Sequence, residues 1–368
     1  MARKNREMLI PQGPPLSKSP PEPSKRVRIA SPADEKAETA KALREFFHKI
    51  GFDTQQYEDP YPQELDDIVR ERVRSWNLDD KRTAHLLKLL PTCASGVQKQ
   101  YKQASAEVKT FITLYSMLLF YVDDLVVREP GNILPELQKL SSPNTPRETS
   151  SIYSDPCLSL WSDLVTSEAH LYYGPYSTGA IQKGLVEFLM GSIIEARFPR
   201  GLGQDTLLTT HVPATAAHLL RDKAGSGEVY AHFMFPTHLA PEDRYLGKYF
   251  VCIRDMTDWI NFTNDIMSFY KENNPRDGVV EENTYIQNRA RCEGKTTLQV
   301  LRDLCDEIVT LTESIRRGLK GEPVLEEIWE NYVNGYILFH ACDRRYRLKE
   351  LGIVFEREGE GETEKGTL

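Results

Sequence analysis

Apolar residues in this chain recur at three- and four-residue spacing, and no stretch of useful length alternates with the period of two that a half-buried strand requires. Leu43, Phe46, Phe47 and Ile50 mark one face of a first helix before Gly51 ends it. The same spacing predicts helices over 37–50, 64–74, 81–90, 106–127, 157–170, 179–196, 214–223, 244–272, 298–319 and 325–351. Turn-forming clusters separate them, such as Ser141-Ser142-Pro143-Asn144-Thr145-Pro146 and Asn273-Asn274-Pro275-Arg276-Asp277-Gly278. No repeat appears at solenoid periods and the helices vary in length, so the chain reads as an all-α fold with one body.

That body is expected over 34–354. Residues 1–33 are rich in proline and serine and carry Arg3, Lys4, Arg6, Lys18, Lys25, Arg26 and Arg28 against only Glu7 and Glu22. Such a segment cannot bury enough apolar surface to order itself and is expected to be a disordered basic arm. Lys25-Arg26-Val27-Arg28 could be a nuclear address, but a run this short reads more readily as solvated tail. Residues 355–368, dominated by Glu and Gly, are expected to form a disordered acidic tail.

The formal charge of -8 argues against nucleic acid as the main partner, since phosphate backbones need a positive surface. Six cysteines (Cys93, Cys157, Cys252, Cys292, Cys305, Cys342) include no C-x-x-C pair, and the N-terminus lacks a secretory apolar core. Reduced thiols and a cytoplasmic location are therefore expected. The apolar run at 111–127 is broken by Thr113, Ser116, Asp123 and Asp124, so no membrane span is expected.

Chemistry-bearing residues fall in four places. Asn264, Ser268 and Glu272 lie four residues apart, and four residues turn about 400° on a helix, which makes one drifting stripe of oxygen ligands. Mg2+ is a hard ion that such a stripe suits, and Lys271 beside it could hold an anion that the metal also holds. A polar helix face with an ordinary ion pair would have the same spacing. Asp123 and Asp124 close an apolar helix through Tyr115, Leu118, Leu119 and Phe120. Carboxylates there cost free energy unless paired, hydrated or metal-bound, though they could also simply cap an exposed helix end. Pro130 predicts that helix does not continue beyond. Asp343-Arg344-Arg345-Tyr346-Arg347, placed on the last long helix, offers planar guanidinium forks and a phenol that suit phosphate oxygens, or a salt-bridged helix end. Arg221 ends a short helix that breaks into Ala224-Gly225-Ser226-Gly227.

In order and content these four sites resemble the class I terpene cyclases, particularly the fungal trichodiene synthase family. The resemblance rests on Asn264-Asp265-x-x-Ser268-x-x-Lys271-Glu272, on Cys342-Asp343-Arg344-Arg345-Tyr346-Arg347-Leu348 and on the aspartate pair, and covers roughly 90–351. It implies a class I terpenoid synthase helical bundle around a central apolar cavity, and a sesquiterpene synthase that ionises and cyclises farnesyl diphosphate. It further implies three Mg2+ ions, with Asp123 a ligand of two and Asn264, Ser268 and Glu272 the ligands of the third. Arg221, Lys271, Arg345 and Tyr346 would grip the diphosphate, with Asp123, Arg345 and Tyr346 assisting its departure. Gly225 matches the position whose carbonyl faces the reacting carbon, and a homodimer is implied as the assembly.

One position departs from the family pattern. The usual aspartate-rich box has a carboxylate four residues after the first, where this chain has Val127. Glu129, six residues on and about 600° round an ideal helix, would point away from Asp123. Asp123 is therefore the expected ligand, Asp124 the partner of a nearby cation, and Glu129 no ligand. Residues one or two turns deeper on each ligand's face should line the cavity: Ser116, Leu119 and Phe120; Thr257, Ile260 and Asn261; Phe339 and Cys342. Phe120 and Phe339 could stabilise a passing cation through their ring faces, or be ordinary core. Two other readings remain: a prenyl-transferring isoprenoid synthase, which usually carries aspartate-rich boxes on both metal helices, and a non-catalytic helical interaction protein retaining the fold.

Overall fold

Fourteen α-helices and no strand make up the described residues of the computed structural model, which are 32–52, 61–139, 154–201, 213, 215–275 and 281–353. Residues 1–31 of the expected arm, with its basic run, and the whole of the expected tail lie outside them, as does the 141–146 cluster. In chain order the helices are α1 (Pro32–Ile50), α2 (Gln63–Ser75), α3 (Asp80–Gln100), α4 (Ala106–Arg128), α5 (Pro130–Gln138), α6 (Pro156–Tyr172) and α7 (Pro175–Arg197). They continue with α8 (Thr215–Ala224), α9 (Gly227–Phe233), α10 (Glu242–Tyr249), α11 (Ile253–Asn273), α12 (Tyr285–Glu293), α13 (Thr297–Leu319) and α14 (Pro323–Cys342).

Side-chain caps fix several starts. Asp79 accepts from the Arg82 N–H (2.9 Å), Asp155 from Cys157 (2.8 Å), and Thr296 forms a reciprocal capping box with Gln299 at the head of α13. Four predicted boundaries are corrected. Pro130 begins α5 instead of ending helical structure, because a first-turn proline surrenders an N–H that has no partner there anyway. Helix α3 runs through Pro91, which is exposed, so water can reach the freed carbonyl of the preceding turn. The segment predicted as one helix over 244–272 is α10 and α11 joined by a 3-10 turn, Phe250–Cys252. The last helix stops at Cys342, well short of 351: Asp343 is extended, Arg347 has φ of 60°, and only a 3-10 turn, Leu348–Leu351, follows.

Helix α4 packs against α3, α6, α7 and α5, while α11 packs against α9 and α13 and α14 lies along α3. Among the described helices α4 alone is long and apolar enough to cross a membrane, but 67% of that stretch is buried by these neighbours, the pattern of a core helix. An aromatic seam of Trp259, Trp329, Tyr332 and Tyr336 joins α11 to α14, and the Trp259 indole donates to Thr312 on α13 (2.8 Å). Between α14 and α3 the backbones come close at Gly335, where a Cβ would lie 2.0 Å from the Lys99 carbonyl oxygen. The turn after α14 meets α11 where Lys271 lies near the Tyr346 ring and α4 where Arg345 lies over Phe120, which brings these three ends to one side of the bundle.

Candidate active site

Helix α11 presents the predicted oxygen stripe. Ser268 is buried, Asn264 and Glu272 are half-buried, and Lys271 Nζ lies 3.3 Å from a Glu272 oxygen. Burial pushes the Glu272 carboxyl above the usual carboxylate range, Lys271 pulls it back, and Asp265 pushes it up again. Arg221, at the last turn of α8, reaches across to α11. Its Nε donates to Asp265 (2.9 Å), and its Nη2 donates to the Asn261 carbonyl (2.9 Å) and to Asn264 Oδ1 (3.4 Å).

The break after α8 is tied to the same stretch. Ser226 has φ of 52°, and a Cβ at Gly225 would lie 2.3 Å from Asn261 Oδ1. Only glycine lets the break approach Asn261 this closely. Asn261 is buried with neither amide atom hydrogen-bonded. Its neighbour Ile260 accepts from the Tyr336 hydroxyl through its carbonyl (3.0 Å).

Asp123 sits in the last turns of α4. Burial raises its carboxyl, Arg345 opposes that rise, and Asp124 adds to it. Asp124 is held by His85 Nε2 (2.7 Å) and lies 3.5 Å from Arg128. Val127 is exposed, and Glu129, at the junction of α4 and α5, accepts from Asn132 (3.1 Å) and pairs with Lys81 (3.6 Å). Ser116 and Leu119 are buried on α4, with Ser116 Oγ accepting from the Tyr230 hydroxyl (3.0 Å). The Arg345 guanidinium lies 5.3 Å from the centroid of the half-buried Phe120 ring.

Arg345 and Tyr346 come from the turn after α14, not from a helix. Asp343 Oδ1 accepts the Arg345 N–H (2.8 Å) and its carbonyl accepts the Tyr346 N–H (3.2 Å), which fixes a compact turn. Arg345 is left exposed while the Tyr346 ring is buried against Phe339 (5.7 Å between centroids) and His340 (4.3 Å). Lys271 Nζ stands 5.9 Å from the Tyr346 centroid, so the turn meets α11. Cys342 is half-buried and Thr257 buried, its hydroxyl bonded to the Ile253 carbonyl (2.8 Å).

Sequence reasoning missed two residues here. Glu195 on α7 faces Asp123 and Arg221, and burial and then Asp123 push its carboxyl up to about 8. Nothing local distinguishes this glutamate; only the packing of α7 on α4 and α8 brings it in. His340, also unremarked in sequence, hydrogen-bonds Asn264 (3.2 Å), and burial pushes its imidazole down to about 3, which keeps it neutral.

The donor set suits a divalent cation. Asp123, Glu195, Asp265 and Glu272 are each raised chiefly by burial, and Arg221 is already committed to Asp265. Hard carboxylate, amide and hydroxyl oxygens in such surroundings are Mg2+-type ligands. Among the described residues the acidic and histidine side chains whose ligand atoms all lie within 4.8 Å of one another are instead His218, Asp222 and Asp258, where Arg254 donates to Asp222 and Asp258 and touches His218, so an internal cation already satisfies them.

Residues 158–367 match the family described as trichodiene synthase (TRI5). The chain belongs to the trichodiene synthase family. The (E)-beta farnesene synthase of Metarhizium brunneum is 26% identical over 318 residues, covering 86% of this chain and 91% of that protein. A trichodiene synthase of Trichoderma arundinaceum is 29% identical over 190 residues, 51% of this chain and 45% of its own. Among solved structures, a variant of cucumene synthase superposes with a TM-score of 0.52 at 16% identity, over 78% of this chain and 100% of that one, a likeness of fold. This terpene synthase is a class I enzyme, a lyase acting on prenyl diphosphates with a divalent metal.

Proposed function

We propose that this terpene synthase converts farnesyl diphosphate to a cyclic sesquiterpene with Mg2+ as its metal, three ions in all. Asp123 on one side and Asn264, Ser268 and Glu272 on the other would hold the ions. When bound, Mg2+ neutralises charge on the diphosphate and so makes it a good leaving group. The observation that carries this reading is the meeting of four elements, α4, α8, α11 and the turn after α14, at one end of the bundle. Lys271 lies against Glu272 and near Tyr346, Arg345 opposes Asp123 electrostatically, and Arg221 contacts Asn264.

Arg221, Lys271 and Arg345 donate to the diphosphate oxygens and Tyr346 adds a hydroxyl donor. The C–O bond breaks with its electron pair leaving on diphosphate, and the allylic cation is attacked by a distal alkene of the same chain. Loss of a proton then gives the neutral ring. Ser116, Leu119, Phe120, Ile260, Asn261 and Phe339 line the space in which the chain folds and from which water is kept. Diphosphate release with the C10, C15 and C20 allylic diphosphates tests the assignment. The C15 substrate should have the highest kcat/KM and chelation should abolish turnover; preference for C10 or C20, or turnover in chelator, would contradict it.

A further inference from the structure

We propose that His340 is a positioning residue that sets which end of the Asn264 amide faces the metal and diphosphate; this rests on the assignment of Asn264 as a metal ligand. A carboxamide has two ends of nearly equal size, and only the oxygen can bind a cation. Nothing in Asn264 itself decides between them.

A chain of two hydrogen bonds does. The Tyr336 carbonyl can only accept, so His340 Nδ1 carries the hydrogen that spans their 2.7 Å contact. In the neutral ring Nε2 is then an acceptor. Its partner at 3.2 Å is Asn264 Nδ2, which must donate. Asn264 Oδ1 is left on the opposite side, 3.4 Å from Arg221 Nη2, where a guanidinium stands in this structure and a cation would bind.

The ring cannot swing to relax this. His340 is 1% exposed and packed between Tyr336 (4.4 Å between centroids), Phe339 (4.9 Å) and Tyr346 (4.3 Å). The Tyr336 hydroxyl bonds the Ile260 carbonyl on α11, one turn before Asn264, so α14 grips α11 at two adjacent points. Tyr346, from the turn proposed to grip the diphosphate, packs against the same imidazole at a tilt of 47°. His340 thereby couples the position of that turn to the orientation of the metal ligand.

The test is a double-mutant cycle. Mn2+ binding in the presence of inorganic diphosphate is followed by electron paramagnetic resonance, alongside the Mg2+ dependence of turnover. His340→Phe keeps a ring in the aromatic stack and deletes both nitrogens. It should weaken Mn2+ binding and raise the Mg2+ requirement by about tenfold. His340→Gln, whose side-chain oxygen can still accept from Asn264, should recover most of that loss. In an Asn264→Asp background the same His340→Phe change should cost nothing, because a carboxylate offers oxygen at both ends.

An equal loss in both backgrounds would make His340 merely structural and overturn the proposal, as would unaltered Mn2+ binding in His340→Phe. Should His340→Phe not fold, the Gln variant decides: metal binding near the unmutated level supports the proposal, and a tenfold loss in a folded Gln variant overturns it. A wild-type protein that binds no Mn2+ with diphosphate and forms no product would instead refute the Mg2+-dependent cyclase reading.

Discussion

Arg221 spends its guanidinium on α11 in this structure, bonded to Asp265, Asn261 and Asn264. Under the proposed function a diphosphate would share this guanidinium with Asp265, and in this structure the pair is a stabilising contact between α8 and α11. Removing one partner of a buried pair strands the other charge. Arg221→Met should therefore lose about 3 kcal/mol in urea unfolding, and adding Asp265→Leu should return most of it. A loss that persists in the double variant would show that packing, not charge, holds α8 to α11. His218 gives a pH-dependent counterpart. Its hydrogen bond to Asp258 raises its pKa above the ordinary value, burial and Arg254 oppose this, and Asp222 reinforces it. The contribution is complete below the unfolded pKa near 6.5 and is lost as pH rises through the higher folded value. The melting temperature should fall as pH rises from the unfolded value through the higher folded one, and His218→Gln should flatten that slope; an unchanged slope would exclude His218 as its source. Asn264, Arg345 and Tyr346 could be singled out as candidates because their motifs in combination resemble the family pattern, while spacing alone left an ordinary polar helix face open. Glu195 and His340 were not, because a glutamate and a histidine on long helices carry no local mark of what they face.

At the scale of elements the sequence tells existence better than ends. Ten predicted helices correspond to real ones, but α5, α9 and α12 were not anticipated, and two long predictions end or break where backbone geometry intervenes. The consequence for the site is specific: Arg345 and Tyr346 are presented by a turn that Asp343 closes, so helical phasing from Phe339 does not describe them. The close contact of α14 with α3 makes a direct prediction. Gly335→Ala drives a Cβ into the Lys99 carbonyl and should cost about 1–3 kcal/mol. Gly247 lies in α10, where an added Cβ would meet nothing within 4 Å, and Gly247→Ala should stabilise by about 0.5–1 kcal/mol. Chemical denaturation of both variants checks the contrast, which equal effects would refute.

At the scale of the whole molecule the separation in sequence between Asp123, Arg221, Asn264 and Arg345 is what the all-α topology removes, bringing α4, α8, α11 and the turn after α14 to one end of the bundle. The apolar interior behind them follows from period and composition, but its shape does not, since ring closure depends on side-chain packing that periodicity cannot encode. The decisive measurement is gas chromatography and mass spectrometry of the products formed from farnesyl diphosphate and Mg2+ by the intact protein, beside Asp123→Asn and Glu272→Gln. A cyclic sesquiterpene from the unmutated protein, reduced by at least about 100-fold in both variants, is the predicted result. No cyclic product from folded protein, or product from either variant undiminished relative to the unmutated protein, would contradict the account.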